Sequence, residues 1–505
     1  MKKICQLIFV LCIVFSILSC KKKRVEDGTL TYLDSSSSPE LTVFKAPEEA
    51  PKNNTFSVYV RYEGGEWIDL HEYDAEVDGG NLKVPIYHMG FVSFDADFSK
   101  KIEVKVQKNN GSMSNVSIRP DIEGIKPTNI NDNTITFSLT RPGKVSVEVN
   151  GDLHNNLMVF ANRPEENPVA QGTPNVYYYG PGIHKIGGNG QGTITLKSND
   201  KVYIAGGAIV YGNIEGTGVD NVSISGRGIL CGGMYTDHAY PHTVGKNLIK
   251  LENSTNINIE GITLLNTVSW NVRLNFCNTV SCKNMKLMGW TINSDGINPV
   301  ASRDVVIDDC FIRGYDDCIS IKGSYAPSAN PLAKDTKNIT VQNCILWIDQ
   351  GRAVAIGPES YSTELRLYEN INFKNIDVLY NENYNVEWAK GAISILIGDD
   401  ATARNVKFED VRVDRLGLNT NFITIAILQS TYNVSPGKRI ENITFNRVSL
   451  NTTQQPLQNR IWGYDATKKV SGVTFSNLKI GGTTINNTTS GFFDINSFSE
   501  NIIFN

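Results

Sequence analysis

Beyond residue 18 this 505-residue chain has no apolar run long enough to span a bilayer, and it has no surplus of positive charge. Its 48 Lys and Arg face 52 Asp and Glu, for a net charge of −4. The first absence excludes a polytopic helical membrane protein, because a spanning helix takes ~20 consecutive apolar residues. The second argues against a nucleic-acid partner, which requires a basic face. Nine cysteines include no CxxC pair, so neither a zinc site nor a dense disulfide framework is expected, and no metal or cofactor is anticipated. Methionine is scarce, at seven, while glycine numbers 43, a balance that favours turn-rich β structure over packed helices. The length exceeds the ~250 to 300 residues of one ordinary core, so two domains or a repeat array are expected.

What is present begins with a targeting signal. Lys2-Lys3 leads the apolar stretch Ile4 to Leu18, which ends in Ser19-Cys20. A charged start before a short apolar segment reads as a signal peptide. The small residue before Cys20 is similar to a bacterial lipoprotein signal, with Cys20 as the lipidated residue. Residues 1–20 are therefore expected to direct export, leaving the protein anchored at the outer membrane, periplasmic or cell-surface. Residues 21–40, rich in Lys, Ser, Asp and Glu, are expected to form a flexible tether.

Two β domains are expected next. From 41 to 165 short runs alternate with period two, as in Phe56-Ser57-Val58-Tyr59-Val60 and Val145-Ser146-Val147-Glu148-Val149. Each is bounded by Gly, Pro, Asn or Asp, the pattern of a β-sandwich. A Pro-containing stretch, 162–172, reads as a linker. From 170 to 505 a phrase recurs that opens on Asn or Asp and continues with alternating apolar residues. Copies include Asn221-Val222-Ser223-Ile224, Asn338-Ile339-Thr340-Val341, Asn405-Val406-Lys407-Phe408 and Asn442-Ile443-Thr444-Phe445. Repeats this short with strand alternation indicate stacked coils sharing one core. The fold class expected is all-β: an N-terminal β-sandwich followed by a right-handed parallel β-helix. Cys310 and Cys344 occupy one slot of successive copies and are expected to stack as free thiols.

Inside the repeat lie Asn293-Ser294-Asp295-Gly296 and Gly314-Tyr315-Asp316-Asp317-Cys318, with Asp295 and Asp316 21 residues apart. That is about one coil, and neighbouring coils are ~4.8 Å apart, so three carboxyl groups would converge. Converging carboxylates cleave glycosidic bonds. Most other acidic residues have duller explanations. Asp309 holds the slot of Asn343 and Asn375 and reads as a turn residue, and Asp399-Asp400 reads as a solvated loop.

These two segments, with Cys318-Ile319-Ser320-Ile321-Lys322 after the second, resemble the acidic signatures of the polygalacturonases, glycoside hydrolase family 28. The resemblance implies a right-handed β-helix and covers most of residues 175–480. It implies further that Asp316 is the general acid and that Asp295 and Asp317 activate water, with inversion. Gly351-Arg352-Ala353 stands where that family carries Gly-His-Gly, and its Arg-Ile-Lys motif is absent. These departures, with the sandwich, are similar to the layout of the dextranase and isopullulanase family, glycoside hydrolase family 49. A polysaccharide substrate is implied.

Secondary expectations concern binding. Trp270 and Tyr315 are the preferred sugar-stacking rings, ahead of Trp290 and Trp347. Asn293, Lys322 and Arg352 are further substrate-binding candidates, Arg352 either meeting a sugar or pairing with an Asp. His238 and His242 read as loop residues near the cleft. A polysaccharide lyase and a non-catalytic glycan-binding surface remain the alternatives to hydrolysis, and the oligomeric state is not legible.

Overall fold

A computed structural model describes residues 40–77, 86–234, 246–323, 335–359, 366–383, 390–418, 420–451 and 458–505, together with the backbone of two strands, Lys22–Glu26 and Thr29–Leu33. The signal segment with Cys20, and the loop with His238 and His242, lie outside the described residues. Among those described, the one helical turn is Asp121–Glu123.

The alternating runs of the first domain form two facing sheets. One contains Leu41–Phe44, Tyr73–Val77, Tyr87–Ala96, Val116–Arg119, Gly143–Val149 and Leu157–Asn162, and the other Phe56–Tyr62, Ile68–Asp69, Ile102–Lys108, Thr128–Asn131 and Thr134–Leu139. Every second residue points between the sheets: Phe56, Val58 and Val60 from one meet Val92, Phe94, Val145 and Val147 from the other. The segment expected to be a free tether instead carries the two early strands. Thr29–Leu33 pairs antiparallel with Lys22–Glu26 on one side and with Leu41–Phe44 on the other. Leu41–Phe44 would otherwise leave a row of unpaired backbone groups at a sheet edge, and Thr-Leu-Thr-Tyr-Leu is a strand-forming run.

From Val176 onward the chain coils into a right-handed parallel β-helix. A typical turn of the coil carries three strands, and strands of successive turns pair in parallel. One such turn comprises Arg303–Asp308, Phe311–Gly314 and Ile319–Ile321, and the next Asp335–Gln342, Ile345–Ile348 and Val354–Ile356. The interior is a continuous apolar column in which each turn covers its neighbour's face. Phe373, Phe408, Phe445 and Phe475 stack along it at centroid spacings of 4.7 to 4.9 Å. Asn and Asp mark the corners because the backbone there is left-handed, which their short side chains tolerate. Asn338, Asn370, Asn405 and Asn442 all have φ between 55° and 57°, and each donates a side-chain hydrogen bond to the residue one turn earlier. Asp309, with φ 53°, is a corner residue as expected. Six cysteines are free and buried, Cys310 and Cys344 among them.

The sandwich docks on the middle strands of the coil. The paired apolar positions of each repeat are thereby explained: Ile312 faces the coil interior while its neighbour Phe311 faces the sandwich. Leu265, Met288, Phe311 and Trp347 pack against Met89, Phe91, Met158 and Phe160. Within this apolar contact Arg313 is fully buried, bonded to both oxygens of Asp349 at 2.9 and 3.0 Å and to Asn156 and the Leu153 carbonyl of the sandwich. Arg227–Asp95 and Lys144–Asp309 bridge the same boundary. The opposite flank of the coil, formed by the third strands, is left to the acidic residues.

Candidate active site

Asp295 and Asp317 each stand two residues before a third strand, Ile297–Val300 and Ile319–Ile321. Ile297 is in register with Ile319, and Ile319 with Val354. Counting back two places aligns Asp295 with Asp317 and Asp317 with Arg352, and Val272 paired to Ile297 puts Trp270 beside Asp295. Hydrogen bonds continue the pairing through these positions, from the Gly296 N–H to the Asp317 carbonyl and from the Cys318 N–H to the Arg352 carbonyl, both at 2.9 Å. Trp270, Asp295, Asp317 and Arg352 thus form one column across four turns. Cys318 and Ile319 both face the apolar interior, so the chain bends there and Asp317 emerges on the outer side beside Ser320, whose hydroxyl donates to it at 3.1 Å.

The doublet needs room behind it. A Cβ on Gly351 would lie 2.6 to 2.9 Å from backbone atoms of Asp316 and Asp317, closer than atoms can approach, so only glycine admits the Asp316–Asp317 peptide. Asn381 and Asn383 both donate to the Gly351 carbonyl, and Asn381 also accepts from the Ala353 N–H. This fixes the strand entrance that carries Arg352.

Two cations hold two of the carboxylates. Arg352 donates Nε and Nη2 to the two oxygens of Asp317 at 2.8 and 3.0 Å, and its backbone N–H adds a third bond at 2.9 Å. Lys322 donates to Asp295 Oδ2 at 2.9 Å and stands 3.1 Å from Glu359 Oε2. Its ammonium also lies 3.9 Å from the centre of the Trp270 ring. Burial opposes the charge on Lys322, but Asp295 and Glu359 more than offset it and hold its pKa above the ordinary lysine range. Burial pushes the Asp295 carboxyl up to about 6, with Lys322 opposing and Asp317 adding to the rise. Asp316 adjoins the Asp295–Asp317 pair. Burial, reinforced by Asp295 and Asp317, pushes it up to about 8, although part of its surface remains open. A fourth acid, Glu359, is raised by burial against the pull of Lys322.

The site therefore unites Asp295, Asp316, Asp317, Lys322, Arg352 and Trp270. Other expectations change. Tyr315 keeps 4 % of its surface, and its hydroxyl donates to Gln350 while its N–H donates to Ser294, so it is packing rather than an open ring for a sugar. Trp290 and Trp347 are buried as well, Trp347 under the sandwich. Asn293 is a left-handed turn residue, φ 63°, at the bend that delivers Asp295. Arg352 takes the ion-pair option. Asp399 is not solvated: it is fully buried and accepts hydrogen bonds from Asn433 and the Val434 N–H. Glu359 was not expected from the sequence, since it lies 42 residues past Asp317 and outside any recurring phrase.

A parallel β-helix bearing clustered carboxylates on its outer flank defines a class of glycan-active folds. The family model for glycosyl hydrolases family 28 matches residues 185–496, well over half of the chain, and this protein belongs to that family. A probable polygalacturonase of Vitis vinifera is 31% identical over 147 residues, 28% of this chain and 29% of that protein. Exopolygalacturonase B of Aspergillus niger is 27% identical over 183 residues, 33% of this chain and 39% of its own. The chain thus spans about a third of the length of these curated relatives. Among solved structures, Dex49A from Penicillium minioluteum superposes with a TM-score of 0.61 at 16% identity, over 96% of this chain and 100% of its own. Its likeness extends over the sandwich as well as the coil.

Proposed function

We propose that this protein hydrolyses glycosidic bonds of a polysaccharide with inversion at the anomeric carbon. The observation that carries the reading is the register placing Asp295 opposite Asp317, with Asp316 adjoining. A general acid must hold a proton near neutral pH, and Asp316, at about 8, does so. It donates that proton to the leaving oxygen as the bond to the anomeric carbon breaks. A water on the other face of the sugar loses a proton to a carboxylate as it attacks. Of the other two carboxylates, Asp317 has both oxygens bound by Arg352, the Arg352 N–H and Ser320, while among the described residues Asp295 has Oδ2 alone bound, by Lys322. Asp295 is therefore the stronger base candidate, with Asp317 orienting the water. Trp270, half-buried one turn away, offers its ring to a neighbouring sugar.

Polygalacturonate, suggested by the polygalacturonase relatives, and dextran, suggested by the family 49 layout, are the first substrates to assay. Hydrolysis releases reducing ends without ultraviolet-absorbing product, and Asp316→Asn lowers the rate of release by about 10² to 10⁴. Ultraviolet absorbance from an unsaturated sugar would instead identify a lyase. We infer also that Cys20 is lipidated after export, supported by the Lys2-Lys3 start and the Ser19-Cys20 junction.

A further inference from the structure

Glu359 reaches the acidic cluster by an unusual route. The third strand Val354–Ile356 ends at Gly357, whose left-handed φ of 77° turns the chain. The Gly357 N–H then bonds the Ile321 carbonyl at 2.8 Å, and the Gly323 N–H bonds the Glu359 carbonyl at 3.2 Å. These two bonds strap residues 357–359 over the end of the preceding strand, where Lys322 emerges. At this φ a side chain would be strained, and a Cβ on Gly357 would also lie 2.4 Å from Ile397 Cδ1, so glycine suits the turn. The result is a chain of contacts: Glu359 Oε2 to Lys322 Nζ at 3.1 Å, and Lys322 Nζ to Asp295 Oδ2 at 2.9 Å, with the Trp270 ring beneath the ammonium. Lys322 and Asp295 are each about 3 % exposed, Glu359 about 16 %.

A lysine side chain has four rotatable bonds and no planar fork to set its direction, so a single carboxylate leaves its head free to choose among partners. Here two carboxylates, from the turns on either side of its own, and one aromatic face define its position from three sides. We propose that Glu359 is a positioning residue for hydrolysis: it anchors Lys322, and Lys322 fixes Asp295 in the orientation from which it can activate water. The inference rests on the hydrolase reading above. It also has an electrostatic consequence. Among the described residues, the ionisable groups around Asp316 include Asp295, Asp317, Glu359, Lys322 and Arg352. Removing the charge of Glu359 takes one negative neighbour away and makes ionisation of Asp316 easier. The proton on the general acid is then lost at lower pH.

The experiment compares wild type, Glu359→Gln, Lys322→Met, the double variant and Asp316→Asn. The protonated-carboxyl infrared band is titrated in each, and turnover is measured on polygalacturonate and dextran. The wild-type band component that disappears in Asp316→Asn is expected to titrate at lower pH in Glu359→Gln. Turnover in Glu359→Gln is expected to fall about tenfold at little change in KM, the scale of one charge-assisted hydrogen bond. The double variant should lose no more than Lys322→Met, because Glu359 acts through Lys322. An unmoved titration, or additive losses, overturns the role of Glu359 while leaving the general acid in place. A wild type with no band assignable to Asp316 overturns both this inference and the hydrolase reading. If Glu359→Gln does not fold, Glu359→Asp, which keeps the charge but draws it back from Lys322 by one methylene, carries the turnover comparison, with a partial loss at little change in KM expected and an unchanged turnover contradicting.

Discussion

At the scale of single residues the site separates three chemically identical side chains by what surrounds them. Asp317 meets a guanidinium and Asp295 an ammonium, while Asp316 is raised first by burial and then by the other two acids. Asp316→Asn should lower turnover by about 10² to 10⁴, the usual contribution of a general acid, with the fold intact by circular dichroism. The same variant should change stability with a definite sign. A carboxyl raised from the unfolded value near ~3.9 to about 8 favours folding below the unfolded value, and this stability is lost as pH rises through about 8. Melting temperatures at high pH should therefore be higher for Asp316→Asn than for wild type, and the gap should close toward pH ~4; a gap of opposite sign would contradict the protonated assignment. Activity should follow a bell, rising as Asp295 ionises around 6 and falling as Asp316 ionises around 8, with limbs that belong to the coupled pair. Arg352→Met should destabilise by about 3 to 5 kcal/mol in denaturant titrations, because Asp317 would be left buried without its partner.

At the scale of elements, register does the work of bringing distant residues together. Gly351→Ala should cost activity without touching any acidic side chain, because the added methyl must displace the Asp316–Asp317 peptide; unchanged turnover would show that the entrance has slack. Phe408→Ala opens the aromatic column between Phe373 and Phe445 and should cost about 3 to 5 kcal/mol, read from a urea midpoint. The repeat and its corner residues were legible because Asn338, Asn370 and Asn405 recur at a fixed place relative to alternating apolar residues, whereas the alignment of Asp295 with Asp317 rests on the register of the third strands. What could not be read follows from departures from the regularity. Tyr315 sits in the site's own motif, yet its ring is buried, with the hydroxyl donating to Gln350. Glu359 arrives through a strap whose length follows no repeat. The two early strands pair with an edge that becomes visible only once the sandwich is assembled.

At the scale of the molecule, the sandwich packs on the middle flank of the coil, away from the acidic cluster. Because Arg313 is buried at the boundary with partners from both domains, Arg313→Met should separate a single unfolding transition into two in calorimetry, whereas one unchanged transition would show that the apolar contact alone couples the domains. Export can be checked on its own: Cys20→Ser should abolish incorporation of labelled fatty acid, and persistent labelling would refute lipidation at that residue. Inversion requires a water attacking from the face opposite the departing oxygen, with Asp316 as the proton donor. Proton NMR of the first sugar released from polygalacturonate or dextran reads this directly. We predict an anomer opposite to the linkage cleaved, appearing before mutarotation. A first product that retains the configuration of the cleaved bond would contradict it.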